Sequence, residues 1–232
     1  MCFSSARFTT KSLIQMEMPR RAAFGAAIPI SIKSKVPQSG DNYVKKIYLV
    51  IDKNPSPLAA VYEFKPDSGL AEMETRIRVQ EYSHVRVIAE MSDGQLHMDS
   101  KYAKVSGGCT QPPNRDQAKH RAELGPMKFR LIDKPVAGQT HPVQLNIRHP
   151  NNTGMELDQI TVMYVPPHYV SRLAVTYSGK PILTAVMDFS ISEDPFLRFN
   201  FVPGTSGELK AEIMDSKELT FSHAMPVEVG GL

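Results

Sequence analysis

The residues best suited to chemistry converge on one short stretch, Val105-Ser106-Gly107-Gly108-Cys109-Thr110. A strand pattern over Leu96 to Val105 runs directly into two glycines and a cysteine. Glycine lacks a side chain and populates positive φ freely, so Gly107 and Gly108 read as a flexible hinge that clears space around the sulfur. A cysteine after such a hinge is expected to be exposed, with a thiol near its ordinary pKa of about 8.5. That arrangement suits a swinging covalent attachment point better than a buried nucleophile. The local motif alone leaves open an incidental loop cysteine.

Other chemistries find less support. The only other cysteine, Cys2, lies in a polar leader, and two cysteines form neither a disulfide framework nor the paired spacing of a zinc site. A cysteine nucleophile would need a histidine held by a third group and an oxyanion site. His84, His97, His120, His141, His149, His168 and His223 are scattered, and no two stand at the i, i+4 spacing of a metal-binding helix. Most of them read as surface or turn residues, with His120 in a linker. The chain has no dinucleotide fingerprint, P-loop or nucleophile elbow. Ser192-Glu193-Asp194-Pro195 reads as a turn with charged corners, and Phe199 and Phe201 read as core residues before they read as a ligand groove. The expectation is therefore no catalytic residue, no metal and no cofactor.

Charge excludes further classes. A net charge of +3, with 27 basic residues spread along 232, is no nucleic-acid footprint, which needs Lys and Arg clustered on one face. No apolar run approaches the roughly 20 residues needed to cross a bilayer, and Met1 to Thr10 has no apolar signal-peptide core.

The elements around Cys109 read as β-strands. Ile28, Ile30 and Ile32 alternate with Pro29 and Ser31, suggesting an edge strand tolerant of proline. Ile47, Leu49 and Ile51 share that period of two, as do Met73, Thr75, Ile77 and Val79, then Val85, Val87, Ala89 and Met91. Asp93-Gly94 reads as a hairpin turn. The second half repeats the pattern at Val143 to Ile147, Leu183 to Phe189, Leu197 to Phe201 and Leu209 to Ile213. The polar, proline-bearing stretch Thr110 to Pro126 separates the two halves, with room for a short helix at Arg115 to Leu124. The reading is an all-β chain of two sandwiches: a flexible leader at 1–15, one sandwich at 16–109, a linker at 110–126, and a second sandwich at 127–232. The halves are expected to pack directly on one another, removing exposed sheet edges.

Several segments resemble a known family. MPRRAAFGAAIPISIK (Met18 to Lys33), Tyr48 to Asn54 and the closing SGGC are similar to SoxY of the sulfur-oxidising system. His149-Pro150, VPPHYV, YSGKPI, ISEDPFLRFNF and GELKAEI, between Val143 and Gly207 and beyond, are similar to SoxZ. The whole resembles a SoxYZ fusion of the kind associated with quinoprotein dehydrogenases. The resemblance implies two immunoglobulin-like β-sandwich domains in tandem and a periplasmic home, with the signal peptide absent from this chain. It implies a non-enzymatic carrier with Cys109 as the covalent attachment site for a sulfur species, Gly107 and Gly108 forming its arm. Partners would be periplasmic Sox-type enzymes or a quinoprotein dehydrogenase. In the family the arm ends the chain; here Thr110-Gln111-Pro112-Pro113 follows, so Cys109 would enter a partner as a loop. Two alternatives remain: an accessory module for a periplasmic dehydrogenase in which Cys109 is incidental, and an independent cysteine-nucleophile enzyme. An exposed Cys109 would also oxidise to a disulfide-linked homodimer on isolation.

Overall fold

The structure, a computed structural model, describes residues 13–112 and 123–230. Cys2, His120 and most of the expected linker, including most of the segment read as a short helix, lie outside the described residues. Among the described residues, fourteen strands account for the regular structure: β1 (Ile14–Glu17), β2 (Ile28–Ser34), β3 (Val44–Ile51), β4 (Leu58–Phe64), β5 (Met73–Ile77), β6 (Ser83–Met91), β7 (Leu96–Ala103), β8 (Met127–Leu131), β9 (His141–Ile147), β10 (Val170–Tyr177), β11 (Lys180–Met187), β12 (Phe196–Phe201), β13 (Gly207–Asp215) and β14 (Thr220–Val227). A short 3-10 turn at Pro66–Ser68 is the remaining element among the described residues.

The strands form two sheets, ordered β1-β2-β5-β12-β9-β8 and β14-β13-β10-β11-β4-β3-β6-β7. Replacing each strand by the one seven places later turns both orders back on themselves. Each half is thus the same three-on-four sandwich, and the halves meet through equivalent strands, β4 with β11 and β5 with β12, both antiparallel. Equivalent strands paired antiparallel define an approximate two-fold relation, the self-complementary interface usual in dimers, here within one chain. The fold is all-β, two immunoglobulin-like sandwiches in tandem. The halves do pack directly, but edge to edge, so both sheets and the core between them are continuous.

The alternating positions carry that core. Ile47, Leu49, Ile51, Ile77, Val79, Val85 and Val87 are fully buried, as are Val143, Leu145, Leu197, Phe201, Leu209 and Ala211. Asp93-Gly94 does close the β6–β7 hairpin, with Gly94 at φ +86°. Ser178 and Gly179 turn β10 into β11 at φ +47° and +79°, the double positive φ of a type I′ turn. Two expectations need correction. β2 is not an edge strand; β1 covers it, and Pro29 fits because that pairing stops at Glu17 opposite Ser31. The stretch 1–15 is not wholly a leader either, since Ile14 already pairs with Ser34 and is buried.

A continuous core has one consequence for unfolding. Thermal unfolding should be a single transition, coincident in far-UV circular dichroism and tyrosine fluorescence. Phe199→Ala, which empties a core position, should lower stability by about 3–5 kcal/mol without splitting that transition. Two resolved transitions would mean that the halves fold independently.

Candidate functional site

The two-fold join brings loops from both halves together at one end of the interface, and Cys109 sits among them. The chain leaves β7 with Lys104 N–H bonded to Arg20 O at 2.8 Å. Gly107 N–H then donates to Gln80 O at 2.8 Å and Gly108 N–H to Val79 O at 3.0 Å. Cys109 N–H donates to Gln80 Oε1 at 2.9 Å, and the Thr153 hydroxyl of the second half donates to Cys109 O at 2.7 Å. Gly108 lies against Gly25: a Cβ built on it would stand 2.2 Å from Gly25 O and 2.7 Å from Val79 N. Gly107 has open space but φ +76°, a conformation that favours glycine.

This geometry overturns the expected exposed arm. Cys109 is buried, with no accessible surface, and Gly107 and Gly108 are fastened to the body. The glycines serve close backbone approach and a turn, a different use of the same missing side chain. Burial pushes the thiol up to about 11, against the pull of the Arg78 guanidinium, with Glu156 and Asp188 pushing the same way as burial. At neutral pH Cys109 is a protonated thiol. The groups acting on it are one cation and two carboxylates, with no histidine among them.

Arg78 is itself buried. One terminal nitrogen donates to Asn151 O at 2.8 Å, Ile191 O at 2.9 Å and Phe189 O at 3.2 Å, so a single guanidinium ties the β5 end to two loops of the second half. Its other terminal nitrogen lies 3.8 Å from Glu156 Oε1. The buried Glu156 carboxylate in turn accepts from the backbone N–H groups of Thr153 (2.8 Å) and Gly154 (3.2 Å). Asn54 joins the first half to the same cluster, donating to Arg78 O and Ser190 Oγ while accepting from Gln80 N–H. Buried charge of this kind holds only when it is paired and hydrogen-bonded.

The long loop between β9 and β10, residues 148–169, supplies most of the second half's contribution. Its counterpart in the first half, between β2 and β3, spans only residues 35–43. Asn151, at φ +44°, is its hub: N–H to His149 Nδ1 (3.1 Å), side-chain NH2 to Ile191 O (3.2 Å), and Oδ1 accepting from Val170 N–H (3.0 Å).

Behind it lies a trio that the sequence does not reveal. His149, His168 and Asp215 are all buried, although the histidines read as surface or turn residues; His97 and His141 are buried as well. The ligand-capable atoms of the trio lie within 4.8 Å of one another. Its protons argue for a hydrogen-bonded network rather than a metal site. Asn151 N–H on His149 Nδ1 makes that nitrogen an acceptor, which places the proton on Nε2, 3.6 Å from Asp215 Oδ2. His168 Nε2 lies 2.7 Å from the same oxygen, while Asp215 Oδ1 caps Lys217 and Leu219 N–H. A ligating histidine needs the reverse, a free nitrogen toward the metal and an N–H behind. Burial, then the neighbouring His168, pulls His149 down to about 4. Ser192 to Pro195 stays structural: Asp194 N–H and Oδ1 clasp the backbone of His149.

The described residues thus form tandem immunoglobulin-like sandwiches with a buried thiol, preceded by two glycines, at their junction. The sulfur oxidation protein SoxY family model matches residues 2–109, and the sulphur oxidation protein SoxZ model matches residues 129–226. The chain belongs to these families as a SoxYZ fusion. No curated protein matches it. Among solved structures it is similar to the sulfur carrier protein SoxY from Chlorobium limicola f thiosulfatophilum, at 23% identity over 44% of this chain and 84% of that one, TM-score 0.37. It also overlaps superoxide reductase (neelaredoxin) from Ignicoccus hospitalis, at 16% identity over 52% of this chain and 94% of that one, TM-score 0.34. With TM-scores below 0.5, these overlaps leave the assignment to the family matches. Among the described residues, no helix is long and apolar enough to cross a membrane.

Two titrations follow. Cys109 has its pKa raised on folding, so its stabilising contribution is complete below about pH 9 and declines as pH rises toward 11. Wild-type stability should therefore fall relative to Cys109→Ser across that window in urea titrations. His149 has its pKa lowered from 6.5 to about 4, so stability is present above pH 6.5 and lost as pH falls through that interval. A stability profile flat between pH 6.5 and 4 in wild type, and unchanged by His149→Gln, would contradict this.

Proposed function

We propose that the protein is a carrier that holds a sulfur-containing intermediate covalently on Cys109 and presents it to partner enzymes, without turning it over itself. The observation that carries this reading is the placement of Cys109. It is the last residue of the SoxY match and sits on a segment held mainly by backbone hydrogen bonds. Such a segment can leave its seat without dismantling the core. While seated, the thiol is protonated and shielded from adventitious oxidants. Once released into water, it returns toward an ordinary thiol pKa and can be loaded. Sulfur-oxidation enzymes of the periplasm are the partners this predicts, with the chain continuing through Thr110-Gln111-Pro112 after Cys109 so that it is offered as a loop.

Loading should also control the segment's position. Glu156 and Asp188 bear on the seated sulfur, and Arg78 is already committed to three carbonyls and Glu156. An anionic sulfur group on Cys109 would lose its hydration in the buried site, where Glu156 and Asp188 oppose the pull of Arg78, and that is unfavourable. A loaded Cys109 therefore stays out and an empty one retracts.

One observation favours a second reading. A thiol buried on a segment tethered at both ends also suits a structural cysteine in an accessory module for a periplasmic quinoprotein dehydrogenase. Intact mass of protein isolated from its native host, before and after reductant, separates the two. A reducible adduct absent from Cys109→Ser is the outcome expected of a carrier. An unmodified wild type across conditions that engage the pathway would shift the assignment to the accessory role.

The charge argument has its own check in hydrogen exchange at Gly107, Gly108 and Cys109. Cys109→Asp, which places an anion at this position, should lose at least about tenfold in protection, while Cys109→Ser keeps it. Equal protection in both variants would show that charge does not govern release.

A further inference from the structure

Within the long β9–β10 loop, residues Glu156 to Val165 fold into a small hairpin that stands clear of the body. Val165 N–H bonds Glu156 O and Asp158 N–H bonds Met163 O, both at 2.9 Å, with Leu157 bridged to Tyr164 between them. At the tip Asp158 Oδ1 accepts from Ile160 and Thr161 N–H, and Asp158 O accepts from Val162 N–H, all at 2.9 Å. The hairpin is therefore preorganised, yet its side chains face outward. Ile160 is 93% exposed, Val162 71%, Tyr164 69% and Met163 68%. Val162 also sits at φ +54°, where a β-branched residue is strained. Four large apolar side chains held in water on a strained, rigid turn mark an interaction surface rather than scattered surface hydrophobics.

Two features indicate the occupant. Between Leu157 and Pro167 the only charged side chain is Asp158, whose Oδ1 is committed to the turn. The surface therefore fits an apolar cleft of a folded protein, with methionine and tyrosine the residue types favoured in such contacts. The root of the hairpin is also wired to the thiol. Glu156 holds the N–H groups of Thr153 and Gly154, and Thr153 Oγ1 donates to Cys109 O. The exposed Phe24 and Tyr82 lie one and two residues in sequence from Gly25 and Gln80, the residues against which the Gly107–Cys109 segment rests.

We propose that the Glu156–Val165 hairpin is the docking surface for an enzyme that acts on the sulfur group carried by Cys109, and that docking there releases Cys109 through Thr153. This rests on the carrier reading above. The partner is a folded enzyme with an apolar cleft beside its active-site mouth. Its grip displaces the hairpin root, removes the Thr153 bond and lets the Gly107–Cys109 segment leave its seat. The first half, with its short β2–β3 loop, has no counterpart to this element.

The test uses the full chain in its native host with a benzophenone photo-cross-linking side chain at Met163, beside the same probe at Val186 on the open face of β11. The expected result is capture of one protein from position 163 only. Once purified, that protein should add or remove the sulfur group on Cys109. Ile160→Asp and Met163→Asp, both at solvent-facing positions, should raise its apparent KM at least tenfold with kcat within twofold, and leave melting temperature unchanged. Thr153→Val should instead raise the rate at which free protein reacts with a thiol reagent. Capture of only a second copy of this chain, of lipid, or of a protein that ignores Cys109 would overturn the proposal. So would unchanged KM in both aspartate variants. Intact mass of the same sample keeps the two readings apart. If Cys109 is loaded but position 163 captures no enzyme acting on it, the docking surface fails and the carrier stands. If Cys109 is never loaded, the carrier reading fails and this proposal falls with it.

Discussion

Edge-to-edge pairing of β4 with β11 and of β5 with β12 is the constraint on which the rest of the molecule depends. An isolated three-on-four sandwich leaves a strand edge open in each of its sheets, and open edges invite uncontrolled association. Here each half supplies the partner for the other's edges, through equivalent strands in opposite directions. The same pairing fixes where the loops fall. The ends of β5, β7, β9 and β11 arrive at one place, so Cys109 of the first half meets Thr153 of the second, and Arg78 beside it meets Glu156 and Asn151. Neither half alone could seat Cys109 in this way.

The join also explains why the site is polar. A loop junction inside a continuous β core must satisfy the backbone groups that leave the ladders, and buried backbone is almost always paired. Arg78 meets that demand as a donor-only cation, giving three hydrogen bonds to carbonyls from two loops. Its charge then needs a counterion, and Glu156 supplies one from the root of the exposed hairpin. The acidic character around the sulfur is thus a consequence of joining two sandwiches. Burial at the same junction is what chiefly keeps the thiol protonated, with Glu156 adding to it against the pull of Arg78, so the join couples the architecture to the chemistry.

Much of this was legible in the residues. Period-two alternation at Ile47 to Ile51, Met73 to Val79 and Val143 to Ile147 marks buried strand faces, because only a β-strand turns every second side chain inward. Asp93-Gly94 marks its hairpin through the φ that glycine accepts. The segment SGGC marks the cysteine. What could not be read depended on partners distant in sequence. Whether Gly107 and Gly108 form a hinge or a close-packed seat depends on Gly25 and Val79, and nothing local to the motif distinguishes these. Pro29 implied an edge, since the short reach of β1 is invisible from β2. His149, His168 and Asp215 are separated by 19 and 47 positions and meet only through the β10–β13 ladder and the long loop. No spacing rule for helices or hairpins would gather them.

The strength of the seat bears on whether a partner can open it. Four hydrogen bonds hold residues 107–109, and at a net value of about 0.5–1.5 kcal/mol each they provide roughly 2–6 kcal/mol. The two glycines add no apolar side chain, so little hydrophobic burial adds to this beyond the cysteine itself. Backbone entropy regained on release offsets part of it, at about 1–2 kcal/mol per residue freed. What remains is small enough for an interface of modest size to reverse. The continuous chain on both sides of Cys109 matters here too. A free tail, once out, would sample a large volume, whereas a segment fixed at Lys104 and continuing into the second half stays near its seat. Loop-closure entropy grows only slowly with length, so such a tether costs little when closed and favours prompt return. A doubly anchored cysteine is therefore suited to alternating between a protected thiol and a presented one.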